Sequence, residues 1–258
     1  MSRIDFHSHI IWGVDDGSKN VEMSMDMLSI AQEERVEYIC ATPHFIIDEQ
    51  EIKREDYDRR LHLLKEAYEG SVKVISGLEL YMNPKLPEYY KMGFIFGINY
   101  GSYMLVELPM RDFPLYTRDI FYELSILGIK PILAHPERNL KIQKNPELLK
   151  ELIEDGVIAQ MNAGSIMGAY GEGAKITAKK FVESNMIHMV GSDGHNNTTR
   201  KPMIKNAYDE INKLNPILYN WIKTNSINII NDKPVKVLEI NEGKKSKGLF
   251  QKLFKKGL

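Results

Sequence analysis

Residues 3–17 read Arg-Ile-Asp-Phe-His-Ser-His-Ile-Ile-Trp-Gly-Val-Asp-Asp-Gly, and this stretch gives the strongest indication of fold and chemistry in the chain. Its first part is a short strand-like run that contains His7 and His9. Successive side chains of a strand point to opposite faces, so two residues that are two positions apart face the same way. His7 and His9 can therefore bind one metal ion together.

Six further apolar runs repeat this arrangement downstream, and five of them are followed by a histidine or a carboxylate. Segments with helical periodicity separate the runs, which predicts parallel βαβ units. The C-terminal ends of successive strands meet at one end of a (β/α) barrel, so the side chains that follow the runs should lie together. The predicted fold class is α/β, a barrel of seven units. The six runs are Tyr38–Thr42, Val72–Leu78, Tyr103–Val106, Lys130–Ala134, Val157–Met161 and His188–Ser192.

Several helices have readable ends. Ser18 is a plausible N-cap for the first helix, and Asn145-Pro146 begins a helix that Gly156 ends. The glycines between residues 164 and 173 indicate a mobile loop beside the substrate cleft. Other predicted helices are Asp112–Leu127, Ala174–Ser184, Pro202–Leu214 and Pro216–Lys223.

Composition narrows the class of protein. The 258 residues, 43% of them hydrophobic, are enough for one large core, and we expect one domain over residues 1–243 followed by a tail at 244–258. A net charge of −1 argues against a nucleic-acid partner. The single cysteine, Cys40, fits a reducing cytoplasm, and we find neither a membrane-spanning stretch nor a signal peptide.

Nine side chains are candidate metal ligands. Imidazole and carboxylate ligands without thiolates suit Mn²⁺, Fe²⁺ or Zn²⁺. The four carboxylates carry a charge of −4, so two divalent ions would leave the cluster neutral, whereas three would leave it positive and able to attract a phosphate dianion. Three ions are therefore favoured over two. The candidates are His7, His9, Asp16, His44, Glu79, Glu107, His135, Asp193 and His195.

Two arginines follow candidate ligands closely. Arg138 lies three residues after His135, and Arg200 lies five residues after His195. Guanidinium groups bind phosphate through paired hydrogen bonds and stabilise charge during phosphoryl transfer. Arg138 and Arg200 are therefore predicted to bind phosphate. The position six residues after Cys40 is Ile46, so the Cys-x5-Arg loop of thiol phosphatases is absent.

Taken together, the motifs resemble those of the polymerase and histidinol phosphatase (PHP) superfamily. Within it they are most similar to the bacterial manganese-dependent tyrosine-protein phosphatases of the CpsB/YwqE type, over residues 1 to about 240. The motifs are Asp5-Phe6-His7-Ser8-His9, Val14-Asp15-Asp16-Gly17, Ala41-Thr42-Pro43-His44, Gly77-Leu78-Glu79, Val106-Glu107, Ala134-His135-Pro136-Glu137-Arg138 and Ser192-Asp193-Gly194-His195.

The resemblance implies a distorted (β/α)7 barrel with three metal ions, manganese first among them. It implies removal of phosphate from the tyrosine-rich tail of a membrane-anchored bacterial kinase that controls capsule or exopolysaccharide synthesis, through attack by a metal-bridging hydroxide. It also implies three ligand sets. These are His7, His9, Glu79 and Asp193; then Glu79, Glu107 and His135; then Asp16, His44 and His195.

Three other functions stay open at this point. A histidinol-phosphate phosphatase of the same superfamily would use the same ligands with a deeper pocket. A metal-dependent nuclease is disfavoured because the charge is nearly neutral and no basic-aromatic surface signature is present. A metal-binding regulator without turnover is disfavoured because all nine ligands are present.

The tail, residues 244–258, has six lysines, no acidic residue, and Leu249, Phe250, Leu253 and Phe254 at helical spacing. Such a basic amphipathic segment can place its apolar face among lipid headgroups. Two interpretations of the tail therefore stay open: peripheral contact with the inner face of the membrane, or a disordered solubilising segment.

Overall fold

The computed structural model describes residues 3–241, in which strands and helices alternate along the chain. The strands are β1 (Arg3–Ser8), β2 (Val36–Ala41), β3 (His44–Phe45), β4 (Lys73–Ser76), β5 (Glu79–Tyr81), β6 (Tyr103–Glu107), β7 (Lys130–Ala134), β8 (Ile158–Asn162) and β9 (Met189–Gly191). The helices are α1 (Val21–Glu33), α2 (Arg54–Ala67), α3 (Leu86–Lys91), α4 (Thr117–Ile126), α5 (Leu140–Lys144), α6 (Glu147–Glu154), α7 (Ala163–Met167), α8 (Glu172–Glu183), α9 (Lys205–Leu214) and α10 (Pro216–Ile230).

The described strands occupy seven positions around a curled parallel sheet. β1, β2 and β4 form one group, and β3, β5, β6, β7, β8 and β9 form the other. The second position is interrupted between β2 and β3 at Thr42-Pro43, and the third between β4 and β5 at Gly77-Leu78. The predicted distorted seven-stranded barrel is confirmed, and these two interruptions are a visible part of its distortion.

The first and last positions of the barrel are joined beyond their regular strands. Ser8 and Gly194 form a parallel bridge, and the backbone N–H of His9 donates to the carbonyl of Gly194 at 2.8 Å. The N–H of Asp193 donates to the carbonyl of His7 at 2.8 Å. Candidate ligands from opposite ends of the chain are therefore held together by backbone hydrogen bonds.

The buried apolar side chains form two clusters. One fills the layer between the sheet and the surrounding helices, and its members include Leu28, Leu64 and Leu149. The other contains alternate strand residues such as Tyr103 and Leu105, together with the end of α10. Side chains alternate along a strand, so Glu107 lies on the same face of β6 as Tyr103 and Leu105.

Helix positions agree with the sequence more closely than helix ends do. α6 ends before Gly156, which adopts the left-handed φ of +96° that favours glycine. Asn20, rather than Ser18, caps α1, because its side chain accepts a hydrogen bond from the N–H of Met23. The expected loop between residues 164 and 173 is wrong for most of its length, since α7 and the start of α8 occupy it.

The predicted tail lies outside the described residues, as does the boundary at residue 243. Within residues 3–241, no helix is long and apolar enough to cross a bilayer.

His188 provides a test of the fold away from the candidate ligands. Its side chain is fully buried, its Nδ1 accepts a hydrogen bond from the N–H of Ala159 at 3.0 Å, and its ring meets Trp221 edge-on. Burial lowers the pKa of His188 to about 3. An unfolded histidine has a pKa of about 6.5, so between these values the unfolded chain binds a proton that the folded chain does not. This group's contribution to stability is therefore lost as the pH falls through that window.

Because of His188, we expect the free energy of unfolding to fall by about 2 kcal/mol as the pH is lowered from 7 to 5. His188→Asn, whose Oδ1 can still accept from Ala159, should lack this loss. Urea unfolding of metal-free protein at both pH values measures it, and His62→Asn on the surface is the control for removing one imidazole. An equal loss in His188→Asn would show that the buried imidazole is not the cause.

Candidate metal centre

The structure brings all nine predicted ligands together at the C-terminal ends of the strands. Their ligand atoms form four overlapping groups, and within each group the atoms lie within 4.8 Å of one another. Every predicted residue belongs to at least one group. The groups are His9, Asp16, His44 and His195; His7, Glu79 and His135; His7, His9 and Asp193; and His44, Glu79 and Glu107.

Glu79 lies at the centre of the cluster. Its Oε2 is 2.9 Å from His44 Nδ1, 3.1 Å from His7 Nε2 and 3.3 Å from His9 Nε2, while its Oε1 is 3.0 Å from His135 Nε2. Burial would raise the pKa of this carboxyl, but the facing histidines lower it well below its usual range. Both oxygens of Glu79 therefore face imidazoles of other candidate ligands.

Glu107 lies beside Glu79 and is also buried, with its Oε1 3.5 Å from His135 Nε2. Burial and then the charge of Glu79 raise the pKa of Glu107 to about 8. Two neighbouring buried carboxylates are costly unless a positive charge neutralises them. A divalent cation between these residues would supply that charge.

The two carboxylate oxygens of Asp193 have different neighbours. Its Oδ1 faces the cluster, 3.4 Å from His9 Nε2 and 3.5 Å from His195 Nδ1. Its Oδ2 accepts hydrogen bonds from Arg138 at 2.7 Å and from Asn162 at 2.8 Å, and Arg200 Nη2 lies 2.8 Å from it. The two arginines predicted to bind phosphate therefore lie at the edge of the ligand cluster.

The adjacent residues Asp15 and Asp16 have different surroundings. Asp16 Oδ1 lies 3.3 Å from His195 Nε2 and 3.6 Å from His44 Nε2 at the open rim. Asp15 is turned away from that rim, and its Oδ2 lies 2.7 Å from His9 Nδ1. A carboxylate behind a histidine fixes the ring and leaves the other nitrogen for a metal. The prediction that Asp16 belongs to the ligand cluster agrees with this geometry.

The side chains present fit divalent metal ions. The donors are imidazole nitrogens and carboxylate oxygens, most of them buried, and no thiolate is among them. Cys40 is buried on β2, and burial raises the pKa of its thiol well above the usual range. His62 lies on the surface, 3.2 Å from Glu66. These two residues lie outside the ligand groups, as does His188.

Three residues near the centre were missed by reasoning from sequence. Gln160 and Asn162 are fully buried amides on β8, and Tyr170 places its ring 4.1 Å from the guanidinium carbon of Arg138. The only sequence signal for Gln160 was a polar residue inside the apolar run Val157–Met161. Tyr170 had none, since it lies in the segment expected to be a mobile loop.

Residues 3–235 match the family model described as capsular polysaccharide synthesis, CpsB/CapC. CapC of Staphylococcus aureus is 34% identical over 250 residues, which cover 95% of this chain and 98% of that relative. The tyrosine-protein phosphatase YwqE of Bacillus subtilis is 35% identical over 202 residues, 76% of this chain and 79% of the relative.

Solved structures of similar fold match this chain as well. A chain from the crystal structures of YwqE from Bacillus subtilis and CpsB from Streptococcus pneumoniae, described as metal-dependent tyrosine phosphatases, matches with a TM-score of 0.87 and 29% identity. The match covers 94% of this chain and 100% of that one. Histidinol phosphate phosphatase from Lactococcus lactis has a TM-score of 0.56 at 12% identity over 83% of this chain and 95% of that one, which shows the fold alone. The chain therefore belongs to the CpsB/CapC family of capsular polysaccharide synthesis proteins.

Proposed function

We propose that this protein is a metal-dependent tyrosine-protein phosphatase whose substrate is the phosphorylated tail of a bacterial tyrosine kinase that controls capsule or exopolysaccharide synthesis. The observation that carries the proposal is the convergence of nine imidazole and carboxylate side chains at one end of the barrel. Relatives that cover most of the chain bear the name tyrosine-protein phosphatase.

The nine residues would hold two or three divalent ions, with three favoured and manganese the first candidate over iron or zinc. Such ions lower the pKa of a bound water and offset charge on phosphate oxygens. The proposed ligand sets stay those expected from sequence, and Glu79, which lies in two of the observed groups, is the ligand that two ions would share. His7, His9 and His44 also lie in two groups each, but a neutral imidazole offers one lone pair, so each would bind one ion.

Arg138 and Arg200 are proposed to bind the phosphate group. A guanidinium carries five N–H donors, so each arginine can hold Asp193 through one nitrogen and a phosphate oxygen through others. The Arg200 side chain stays 35% exposed while its Nη2 contacts Asp193, which leaves accessible N–H donors for that oxygen. The ring of Tyr170 packs against Arg138 and restricts its orientation.

Hydrolysis needs no protein nucleophile in this proposal. Cys40 is buried and its thiol is held protonated, so it does not supply a thiolate. The leaving group is the tyrosine phenolate, and since tyrosine has a pKa of about 10, the bond breaks without strong acid assistance. The task of the chain is to hold the ions, the phosphate and the water in line.

The proposed activity is tested by a substrate panel. We expect purified protein to hydrolyse phosphotyrosine peptide far faster than histidinol phosphate. Removal of metal with a chelator should abolish turnover, and Mn²⁺ should restore it, because the proposed water activation depends on the ions. Full activity after metal removal would refute the metallophosphatase proposal. A preference for histidinol phosphate would instead indicate that the substrate is a small molecule.

Replacing Arg138 should separate phosphate binding from metal binding. Arg138→Ala should lower kcat/KM by about 10²–10³-fold through loss of charge stabilisation. Bound metal per chain should not change, because Asp193 still contacts Arg200 and Asn162. The matched control is Arg118→Ala, whose guanidinium pairs with Glu151 on the surface. Normal kinetics in Arg138→Ala would remove this arginine from the site.

We further propose that the protein works in the cytoplasm at the inner face of the membrane, where the lysine-rich residues 244–258 would meet anionic lipid. Full-length protein should then cosediment with anionic vesicles at low salt, and protein ending at residue 243 should not. Neutral vesicles are the control. Equal sedimentation of both forms with anionic vesicles would discard the membrane role of the tail.

A further inference from the structure

Strand β8 carries no proposed ligand, although it lies between β7 and β9, each of which is followed by one. Two of its residues, Gln160 and Asn162, are fully buried and polar. Burying an amide costs free energy unless its donors and acceptors are paired. Their partners turn out to be the proposed ligands on either side.

The amides form a chain of hydrogen bonds from His7 to Asp193. Gln160 Oε1 lies 3.1 Å from His7 Nδ1, Gln160 Nε2 lies 3.0 Å from Asn162 Oδ1, and Asn162 Nδ2 lies 2.8 Å from Asp193 Oδ2. His7 lies in β1 and Asp193 lies two residues after β9, so the two residues are far apart in the sequence. The chain therefore links two ligands of one proposed metal group.

The direction of this chain is fixed at both ends. The carboxylate of Asp193 only accepts, so Asn162 must turn its NH₂ group towards it and its oxygen towards Gln160. At the other end, the backbone N–H of His135 only donates, and it meets Gln160 Oε1 at 3.4 Å. Gln160 Oε1 is therefore an acceptor, and His7 must donate to it from Nδ1.

Space for the chain depends on Gly191 in β9. A Cβ atom at this position would lie 2.4 Å from His7 Cβ and 2.7 Å from Gln160 Nε2. Any side chain at residue 191 would displace the histidine or the amide. The glycine thus allows His7 and Gln160 to meet.

We propose that Gln160 and Asn162 are positioning residues that hold His7 in the tautomer with its proton on Nδ1, so that the lone pair of Nε2 points into the metal cluster. This inference rests on the proposed metal role of His7. Nε2 is the atom that lies 3.1 Å from Glu79 and 3.2 Å from His9 Nε2. The corresponding Nδ1 of His9 faces a single carboxylate, that of Asp15, whereas Nδ1 of His7 faces the chain of two amides.

The first experiment reads the tautomer itself. Full-length protein carrying ¹⁵N-labelled histidine is loaded with Zn²⁺, which is diamagnetic, and long-range ¹H–¹⁵N correlations are recorded. His7 is assigned by the signal that is missing in His7→Asn. We expect a proton on Nδ1 and metal on Nε2. A proton on Nε2 of His7 would overturn the proposal even if every variant below failed to fold.

The second experiment measures affinity for Zn²⁺ by competition with a chelator, together with bound metal per chain. Gln160→Met keeps the volume but none of the three hydrogen bonds, and we expect it to weaken binding by about 10–100-fold. Gln160→Glu can still accept from His7 and should retain the Nδ1 proton in the correlation spectrum. Ser226→Ala, a buried hydroxyl on α10, is the matched control and should bind Zn²⁺ as the unmodified chain does.

The outcomes separate this inference from the proposed function. If the unmodified chain binds Zn²⁺ and Gln160→Met binds it within twofold, the positioning role is wrong and the metal centre stands. If the unmodified chain binds no divalent ion, the metal centre itself is wrong and the positioning role falls with it. Loss of binding in Gln160→Met with an unchanged His7 tautomer would also overturn the inference.

Discussion

The interaction on which the site depends is electrostatic. Glu79, Glu107 and Asp193 are buried beside one another, and Asp16 lies at the rim of the same cluster. Like charges in a buried site repel, and burial penalises each of them further. The raised pKa of Glu107 is one expression of this conflict, and bound divalent ions would resolve it. Five histidines would supply neutral ligands to complete such a site.

The backbone is distorted where this cluster forms. His135, directly after β7, and Asp193, two residues after β9, adopt left-handed φ values of 30° and 54°. Residues other than glycine adopt this conformation rarely and at a cost of roughly 1–3 kcal/mol. The strand interruptions at Pro43 and Gly77 lie at the same end of the sheet. Two of the candidate ligands are therefore held in a backbone conformation that costs free energy, and the surrounding fold must stabilise it.

The fold and the convergence of the nine candidate ligands can be predicted from the sequence because most of these residues lie in or just after an apolar run. It predicts less where three-dimensional contacts determine the outcome. A strand as short as β3 gives no periodic signal, and the choice of Asn20 over Ser18 as a cap depends on the path of the chain before α1. The contact of Arg138 with Asp193 joins residues 55 positions apart. Gln160 interrupts an apolar run, but the sequence does not show its role, because its partners His7 and His135 come from other parts of the chain.

The central claim is that the nine converging side chains form a metal centre, and anomalous X-ray diffraction tests it most directly. Crystals grown with Mn²⁺ would be measured at the manganese absorption edge. The account predicts two or three peaks, with three favoured, each within direct coordination distance of at least three of the nine ligand atoms. Peaks only outside this cluster, or no peak at all in manganese-saturated protein, would contradict it.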